Sequence, residues 1–262
     1  MTLVWKPGYS FDSDASTYID AVETADGQAL ETGVRVAIND FVLGCKQDEI
    51  WDAIKASCIL AGARTTNGAL VPLVGTAPTP NNFDLVGDID YGRKTGLVGD
   101  GSTKYLDSNR NSNSDPNSDI HQSIFISTAH ASGVGAYIGV GGGVVGATHI
   151  LTNLTLNEFG ARNRSISADV ISSAATSTGF AGTSRNNSSA FLLRVNNSFS
   201  SFTRAADASI DANHFVFARN EPGNEAFTTA RLAFYSIGES LDLAALDTRV
   251  SNLITAIGAA IP

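Results

Sequence analysis

The chain has 262 residues, a formal net charge of −9, 43% hydrophobic residues and only 16% charged residues. This length and apolar content are sufficient for one substantial core, which a disordered chain would lack. The acidic balance argues against nucleic acid as a partner, because phosphate binding requires a basic surface. No apolar run approaches the length of about 18 residues that spans a membrane.

The N-terminal segment, residues 1–13, carries Trp5 and Phe11 beside a Pro-Gly pair, with no helical or alternating period. It is interpreted as an arm that packs either on another protein or on the chain's own domain. The first residues lack the apolar segment of a secretion signal, so we expect synthesis in the cytoplasm of a host cell. Cys45 and Cys58 fall among apolar residues and are interpreted as buried thiols, with a disulfide left open.

A helical pattern begins at Asp14. Asp14 or Ser16 can cap a short first helix through Glu23, and Asp26-Gly27 breaks it. A second helix is predicted to end at Gly44, because apolar residues before it recur at helical spacing on one stripe. The members of that stripe are Leu30, Val34, Ala37, Ile38, Phe41 and Val42.

A third helix is predicted from Asp48 to Ala56, with Ile50, Trp51 and Ile54 on its buried face. Residues 1–56 are therefore predicted to form an arm and a helical block for attachment or oligomerisation. The candidate interaction residues of this block are Trp5, Phe11, Val34, Phe41 and Trp51.

From Ser57 the hydrophobic period changes to two. Short candidate strands recur at a spacing of roughly 8–12 residues, separated by Gly, Asn, Asp, Ser or Pro, which is typical of an antiparallel sandwich. A tight turn is predicted at Gly99-Asp100-Gly101, and hairpin turns are predicted at Asn67-Gly68, Asn196-Asn197 and Pro222-Gly223-Asn224. The candidate strands are 57–61, 69–74, 96–98, 104–107, 122–128, 135–139, 150–156, 157–162, 165–171, 179–183, 191–195, 199–203, 215–219 and 230–237.

The last predicted element is an amphipathic helix from Ser240 or Asp242 to Ala259, with one apolar face. Residues 57–262 are therefore predicted to form one β-sandwich with a closing helix. The fold class is mainly β, with helices at both ends of the sandwich.

No catalytic constellation is found in the sequence. The four histidines have no second His or Cys at metal-ligand spacing, and there is no Gly-x-Ser-x-Gly motif. The glycine run at 139–143 is followed by valines rather than by Lys and Ser or Thr, so it is interpreted as a β-turn. The glutamates of the β-region do not alternate closely with another acid, as glycoside hydrolysis would require. We therefore expect no enzymatic activity.

Two weaker binding sites are candidates. Asp107, Asp115 and Asp119 lie in a polar loop, predicted to be too polar for burial, that offers hard oxygen ligands for Ca²⁺, although a solvated turn is the favoured interpretation. Tyr105 and Tyr137 lie near Asn- and Asp-rich turns and are candidates for carbohydrate binding. No cofactor other than this Ca²⁺ is expected.

Four segments carry a family resemblance through their order along the chain. They are Ile50-Trp51-Asp52-Ala53-Ile54, Cys58-Ile59-Leu60-Ala61-Gly62, the 99–101 turn with Tyr105-Leu106, and Phe234-Tyr235-Ser236-Ile237-Gly238 before the final helix. In this order the chain resembles the laminin-G-like, concanavalin-type β-sandwich proteins encoded among the structural genes of tailed bacteriophages, marine phages especially. The resemblance implies an antiparallel jelly-roll sandwich and carries no catalytic residue onto these positions.

The resemblance also implies a function. The expected role is that of a virion structural protein displayed on the particle, either in a tail fibre for receptor binding and adhesion or as a capsid decoration. Its expected partners are other virion proteins, further copies of itself (a trimer by analogy with fibres) and a host surface glycan. The alternative is a carbohydrate-active protein, either polysaccharide-degrading or lectin-like.

Overall fold

The computed structural model describes residues 10–223 and 225–262, so Trp5 lies outside the described residues. The helices are α1 (Ser13–Asp26), α2 (Thr32–Gln47), α3 (Thr66–Ala69) and α4 (Leu243–Ala260), with a 3₁₀ turn at Ser112–Ser114. The strands are β1 (Ile54–Ile59), β2 (Thr79–Asn81), β3 (Tyr91–Gly92), β4 (Gly96–Val98), β5 (Tyr105–Asn111), β6 (Ile120–Thr128), β7 (Val134–Val140), β8 (Ala147–Asn153), β9 (Glu158–Ser165), β10 (Asp169–Ser172), β11 (Gly179–Arg185), β12 (Ala190–Val195), β13 (Ser198–Thr203), β14 (Asn213–Val216) and β15 (Arg231–Gly238).

The strands form two antiparallel sheets. Sheet A has eight strands. Seven of them follow the order β13-β12-β11-β6-β15-β4-β3, and the eighth, β1, pairs with the part of β15 that extends beyond β4. Sheet B has seven strands in the order β10-β9-β8-β7-β14-β5-β2. The predicted mainly β sandwich with N-terminal helices and a C-terminal helix is confirmed.

One apolar core lies between the two sheets. Alternating residues of each strand point into it, because successive side chains of a strand face opposite sides. Ile124 and Ile126 of β6 belong to this layer together with Phe159 and Ala161 of β9, and all four are buried. Each large aliphatic or aromatic side chain buried in this way stabilises the fold by about 1.5–3 kcal/mol.

A second core lies between the helices and the outer face of sheet A. Val34 and Phe41 of α2 are buried there together with Leu246 and Val250 of α4. The Phe41 ring packs edge-on against Phe234 of β15, with ring centroids 5.7 Å apart. The helical stripe thus packs against the chain's own sandwich.

This packing corrects the candidate interaction residues. Val34 and Phe41 are almost fully buried within the chain and present no surface to a partner. Phe11 and Trp51 are half-buried and pack against the same core. The predicted boundary after residue 56 falls inside β1, and the attachment role assigned to residues 1–56 stays a prediction.

The third predicted helix does not form. After α2 the chain turns, because Glu49 adopts a left-handed backbone (φ 59°) and the N–H groups of Ile50 and Trp51 both donate to the Cys45 carbonyl. Gly44, predicted to end α2, lies inside it. A Cβ at Gly44 would approach the Arg249 side chain to 2.7 Å, so the glycine makes room for the contact between α2 and α4.

Two other predicted strands differ. The segment 69–74 begins at the end of α3, and only Val74 pairs with Ser57 in an isolated bridge. The segment 165–171 is divided between the end of β9 and the start of β10. The apolar pattern of 69–74 thus reflects partial burial rather than a strand, whereas 165–171 contains the turn between two paired strands. Asn67-Gly68, predicted as a hairpin turn, lies in α3.

Cys45 and Cys58 are free, buried thiols, as predicted, and burial raises the pKa of each to about 12. The turn at Asp100 is also confirmed. Its carboxylate accepts hydrogen bonds from the backbone N–H groups of residues 102–104 and from the Thr103 hydroxyl. Among the described helices, none is long and apolar enough to cross a membrane.

Candidate binding groove

The three predicted calcium ligands serve separate hydrogen-bonded contacts. Asp107 accepts from the Asn213 side chain at 3.2 Å, and Asp119 accepts from the Ser240 N–H at 2.7 Å. Asp115 is buried and forms an ion pair with Arg110, so the expected solvated loop is wrong at this residue. Over residues 10–223 and 225–262, no group of three His, Cys, Asp or Glu side chains is placed to hold a metal ion.

The two candidate tyrosines face opposite sides of sheet B. Tyr137 is fully buried in the core between the sheets and stacks on Phe159 with ring centroids 5.8 Å apart. Burial raises its pKa to about 12, and its ring cannot contact a glycan. Tyr105 is half-buried on the outer face and stacks on Phe215 at 4.3 Å. The structure therefore does not bring them into one site.

The buried histidines have structural roles. Burial lowers the pKa of His121 to about 4 and those of His149 and His214 to about 3, so all three are neutral near pH 7. His121 contacts the Ser236 hydroxyl at 2.9 Å, an arrangement that resembles a catalytic dyad. Both residues are fully buried, so no substrate reaches them.

The glycine run forms the turn between β7 and β8, as predicted. The buried Arg162 guanidinium donates to the carbonyl oxygens of Gly142, Val144 and Ile166. These contacts bind the turn to the β9–β10 connection. The acidic loop residue Asp84 accepts backbone N–H groups of its own loop, so it also has a structural role.

A groove with an exposed aromatic ring lies on the outer side of sheet A. It runs between the β12–β13 hairpin and the start of α4 and has a volume of about 390 Å³. Leu192, Phe199 and Leu243 provide its apolar part. Phe199 is 49% exposed and Leu192 is 42% exposed, which is unusual for large apolar side chains in a sheet that helices otherwise cover.

The hairpin that carries this groove forms for local reasons. Asn196 and Asn197 both have left-handed backbones (φ 47° and 65°), as a two-residue hairpin turn of this type requires. The predicted turn is therefore confirmed. The six strand pairs that follow place Arg194 directly opposite Phe199 on the outer face.

Arg194 fixes the position of the aromatic ring. Its guanidinium lies 4.7 Å from the centroid of the Phe199 ring. The same group forms a buried ion pair with Asp247 of α4 at 2.7 Å and donates to the Asn197 side chain at 3.0 Å. A cation over an aromatic face is attractive, and the ion pair ties the hairpin to the helix. The ring is thus held in one orientation while half of its surface stays open.

Polar groups line the rest of the groove. Asp242 caps α4 by accepting the N–H groups of Ala244 and Ala245. The Ser184 hydroxyl donates to the Leu241 carbonyl and accepts from the Leu241 N–H group. Asn186 follows directly after β11. Amide, hydroxyl and carboxylate groups beside a rigid aromatic ring suit a ligand that has one apolar face and a polar edge.

Sequence reasoning missed Phe199 and Arg194. The alternation in Phe199-Ser200-Ser201-Phe202 shows that the two phenylalanines face opposite sides of the sheet. It does not show which face the helices leave uncovered, and that decides which ring is exposed. Phe202 packs towards the core between the sheets, beside Phe191.

No protein-family model matches the sequence, and no curated protein matches it. Among solved structures, the fold is similar to the binding domain of botulinum neurotoxin serotype D (TM-score 0.52, 12% identity), covering 77% of this chain and 50% of that one. It is also similar to the Trypanosoma rangeli sialidase (TM-score 0.51, 9% identity), covering 77% of this chain and 32% of that one.

A shorter likeness is to the Ruminococcus gnavus sialidase CBM40 bound to α2,6-sialyllactose (TM-score 0.40, 11% identity), covering 50% of this chain and 82% of that one. This chain matches half or less of the length of the toxin domain and of the Trypanosoma enzyme. At these identities, the comparisons show a shared β-sandwich fold.

Proposed function

We propose that this chain is a non-catalytic adhesion protein displayed on a bacteriophage particle, where it binds a host surface glycan through the groove between the β12–β13 hairpin and α4. The observation that carries the glycan proposal is the half-exposed Phe199 ring, held by Arg194 beside polar groups. The order of sequence segments that resembles phage laminin-G-like proteins supports the virion context. The open groove favours a tail-fibre or receptor-binding position over capsid decoration, because a receptor-binding protein needs an exposed ligand site.

The physical basis is that a sugar ring has both an apolar and a polar surface. The C–H groups on one face of a pyranose pack against an aromatic ring, while its hydroxyl groups bond amide and carboxylate groups at the edge. A groove with one such ring gives a weak single site. Several copies on one particle raise the effective affinity, because the later binding events become intramolecular.

The groove lacks the chemistry of a glycoside hydrolase. Asp242 is the one carboxylate among the described residues that line it, and its oxygen accepts N–H groups at the start of α4. Hydrolysis of a glycosidic bond requires a pair of carboxyl groups. A binding role is also the one printed for one fold neighbour, the toxin's binding domain.

The groove is tested by comparing Phe199→Ala with Leu156→Ala, a matched loss of an exposed apolar side chain outside the groove. The probe is a panel of immobilised bacterial surface oligosaccharides, with circular dichroism as the check on folding. We expect Phe199→Ala to weaken binding about tenfold, equivalent to about 1.4 kcal/mol, and Leu156→Ala to bind like the wild type. Equal binding by both variants would refute the proposal that this groove binds the oligosaccharide.

The virion context is tested separately. Mass spectrometry of purified particles from the phage that encodes this sequence should detect the chain in multiple copies. Its location on isolated tails supports receptor binding, whereas its location on isolated capsids would favour decoration instead. Absence from the particles would contradict the virion proposal. Glycan binding by the groove would still be tested by the comparison of the two variants.

A further inference from the structure

The charges around the groove between the β12–β13 hairpin and α4 are unequal in sign. Of the described residues that line this groove, Asp242 carries a charge, and none is a lysine or an arginine. Asp242 is exposed and directly precedes α4. A ligand in the groove therefore meets a carboxylate, and the lining offers it no cation.

The Asp242 carboxylate keeps one oxygen available for a ligand. Its Oδ1 accepts the N–H groups of Ala244 at 2.7 Å and of Ala245 at 3.3 Å, whereas its Oδ2 has no partner within the described residues. The N-terminus of a helix carries about half a positive unit charge, and the full negative charge of the carboxylate exceeds it. The end of α4 beside the groove therefore stays net negative.

Two further carboxylates lie beside the lining residue Ser240. The Asp119 Oδ1 atom accepts the Ser240 N–H group at 2.7 Å, and Asp119 is half-buried. Glu239 precedes Ser240 in the chain and forms an ion pair with Lys55 at 3.2 Å. No ion pair within the described part of the chain includes Asp119, so its charge adds to that of Asp242 on this side of the groove.

Arg194 contacts the aromatic ring of the groove, but its charge is already compensated. Its Nε forms an ion pair with Asp247 at 2.7 Å, and both side chains are more than nine-tenths buried. A cation that is paired in this way attracts an anionic ligand only weakly, because the carboxylate of its partner repels the same ligand. The guanidinium therefore positions the Phe199 ring and gives the groove no net positive charge.

These groups leave the groove with a surplus of negative charge. The two ion pairs, of Arg194 and of Lys55, are neutral as units, whereas Asp119 and Asp242 have no cation among the described residues. An ammonium group a few ångströms from Asp242 is attracted, since water and salt screen the interaction only in part at such distances. A carboxylate at the same place is repelled to a similar extent.

We propose that the groove selects sugars that carry a free amino group, and that Asp242 determines this specificity. The inference rests on the proposed glycan-binding role of the groove. The apolar face of the amino sugar packs on Phe199, and its protonated amino group donates a charge-assisted hydrogen bond to the Asp242 Oδ2 atom. Sugars that carry a carboxylate, such as uronic acids, are disfavoured at the same position.

The test uses the panel of immobilised bacterial surface oligosaccharides at about pH 6.5, where an amino group is protonated. Each oligosaccharide is presented unmodified, N-acetylated with acetic anhydride, and carboxyl-reduced after carbodiimide activation. We expect acetylation to weaken the binding of amine-bearing members about threefold to fivefold, and reduction to strengthen that of acidic members by a similar factor. Raising the ionic strength from about 0.1 M to about 1 M should diminish both effects.

The matched variants are Asp242→Asn and Asp20→Asn. Asparagine caps a helix about as well as aspartate does, so the first change removes the charge and keeps the start of α4. The second change removes a negative charge that is also exposed, from α1 and outside the groove. We expect Asp242→Asn to remove most of both effects of chemical modification, and Asp20→Asn to keep them.

The outcomes separate this inference from the proposed function. Equal binding of the three chemical forms, tighter binding of acidic members, or effects that persist in Asp242→Asn would overturn the preference for amino sugars, while glycan binding through Phe199 would stand. Binding that is unchanged in Phe199→Ala, or no binding of any oligosaccharide, would refute the proposed function itself, and the preference with it.

Discussion

Mild acid is expected to destabilise this protein through its buried histidines. His121, His149 and His214 are fully buried, and burial lowers their pKa values to about 4, 3 and 3. An unfolded histidine has a pKa of about 6.5. Since the native state resists protonation, the unfolded state binds more protons between these values. The contribution of these histidines to stability is therefore fully present above the unfolded pKa of about 6.5, and it is lost as the pH falls below that value.

The size of the effect follows from proton linkage. Between about pH 6 and pH 5, each of the three histidines is mostly protonated in the unfolded chain and mostly neutral in the native protein. Each lowers the free energy of unfolding by about 1.2 kcal/mol over that unit, so together they remove about 3.5 kcal/mol. Burial also lowers the pKa of His130, which acts in the same direction.

The assay is urea unfolding monitored by tryptophan fluorescence at a series of pH values from about 7 to 5. Carboxyl groups titrate mainly below this window, so the change between pH 7 and about pH 5.5 reports chiefly on the histidines. His149→Gln should reduce the slope against pH by about a quarter to a third, whatever its effect on stability at neutral pH. A wild-type free energy of unfolding that stays flat across the window would refute the assignment of neutral, buried imidazoles.

Three further changes test the packing and the capping contacts, each by urea unfolding unless stated. Asp100→Ala removes the acceptor of the turn at residues 102–104 and should cost about 1–2 kcal/mol, whereas a neutral effect would show that the turn is satisfied by water. Phe41→Ala opens a cavity between α2 and β15 and should cost about 3–5 kcal/mol; a cost below 1 kcal/mol would contradict its burial. Asp247→Ala leaves Arg194 buried without its partner and should cost about 3–5 kcal/mol, and it should also weaken oligosaccharide binding, unlike Asp100→Ala.

The oligomerisation role predicted for the helical block has a direct test. Residues 1–56 include α1, α2 and half of β1, and their removal would expose Phe234 and the apolar face of α4. We therefore expect the shortened chain to aggregate, as seen by light scattering. A folded, monomeric product would instead support the block as a separate attachment unit.

Periodicity in the sequence predicted the architecture well. The change from a helical to a two-residue period near Ser57 locates the passage from helices to sandwich within a few residues, because each period reflects which side chains share a face. The stripe of α2 also showed that one face is buried. It could not show that Phe41 packs on Phe234 of its own chain, since the partner lies far along the sequence.

The predictions that were wrong depended on backbone conformation and tertiary packing, which the sequence pattern does not show. Tyr105 and Tyr137 look alike in the sequence, yet β5 turns one outward and β7 turns the other into the core. The predicted helix after Asp48 fails at one residue, Glu49, whose left-handed backbone no composition rule indicates. The helix α4 begins at Leu243 and does not cover the part of sheet A that carries Phe199. The exposure of Phe199 therefore depends on tertiary packing.

The measurement that tests the central claim most directly is chemical-shift mapping of the isotope-labelled chain during titration with the bacterial surface oligosaccharides that bind in the panel. The account predicts that the shifted amide signals cluster around Leu192, Phe199 and Leu243, and that Phe199→Ala needs about tenfold more oligosaccharide for the same shifts. Shifts centred on the outer face of sheet B around Tyr105, or a titration that is unchanged in the variant, would contradict it.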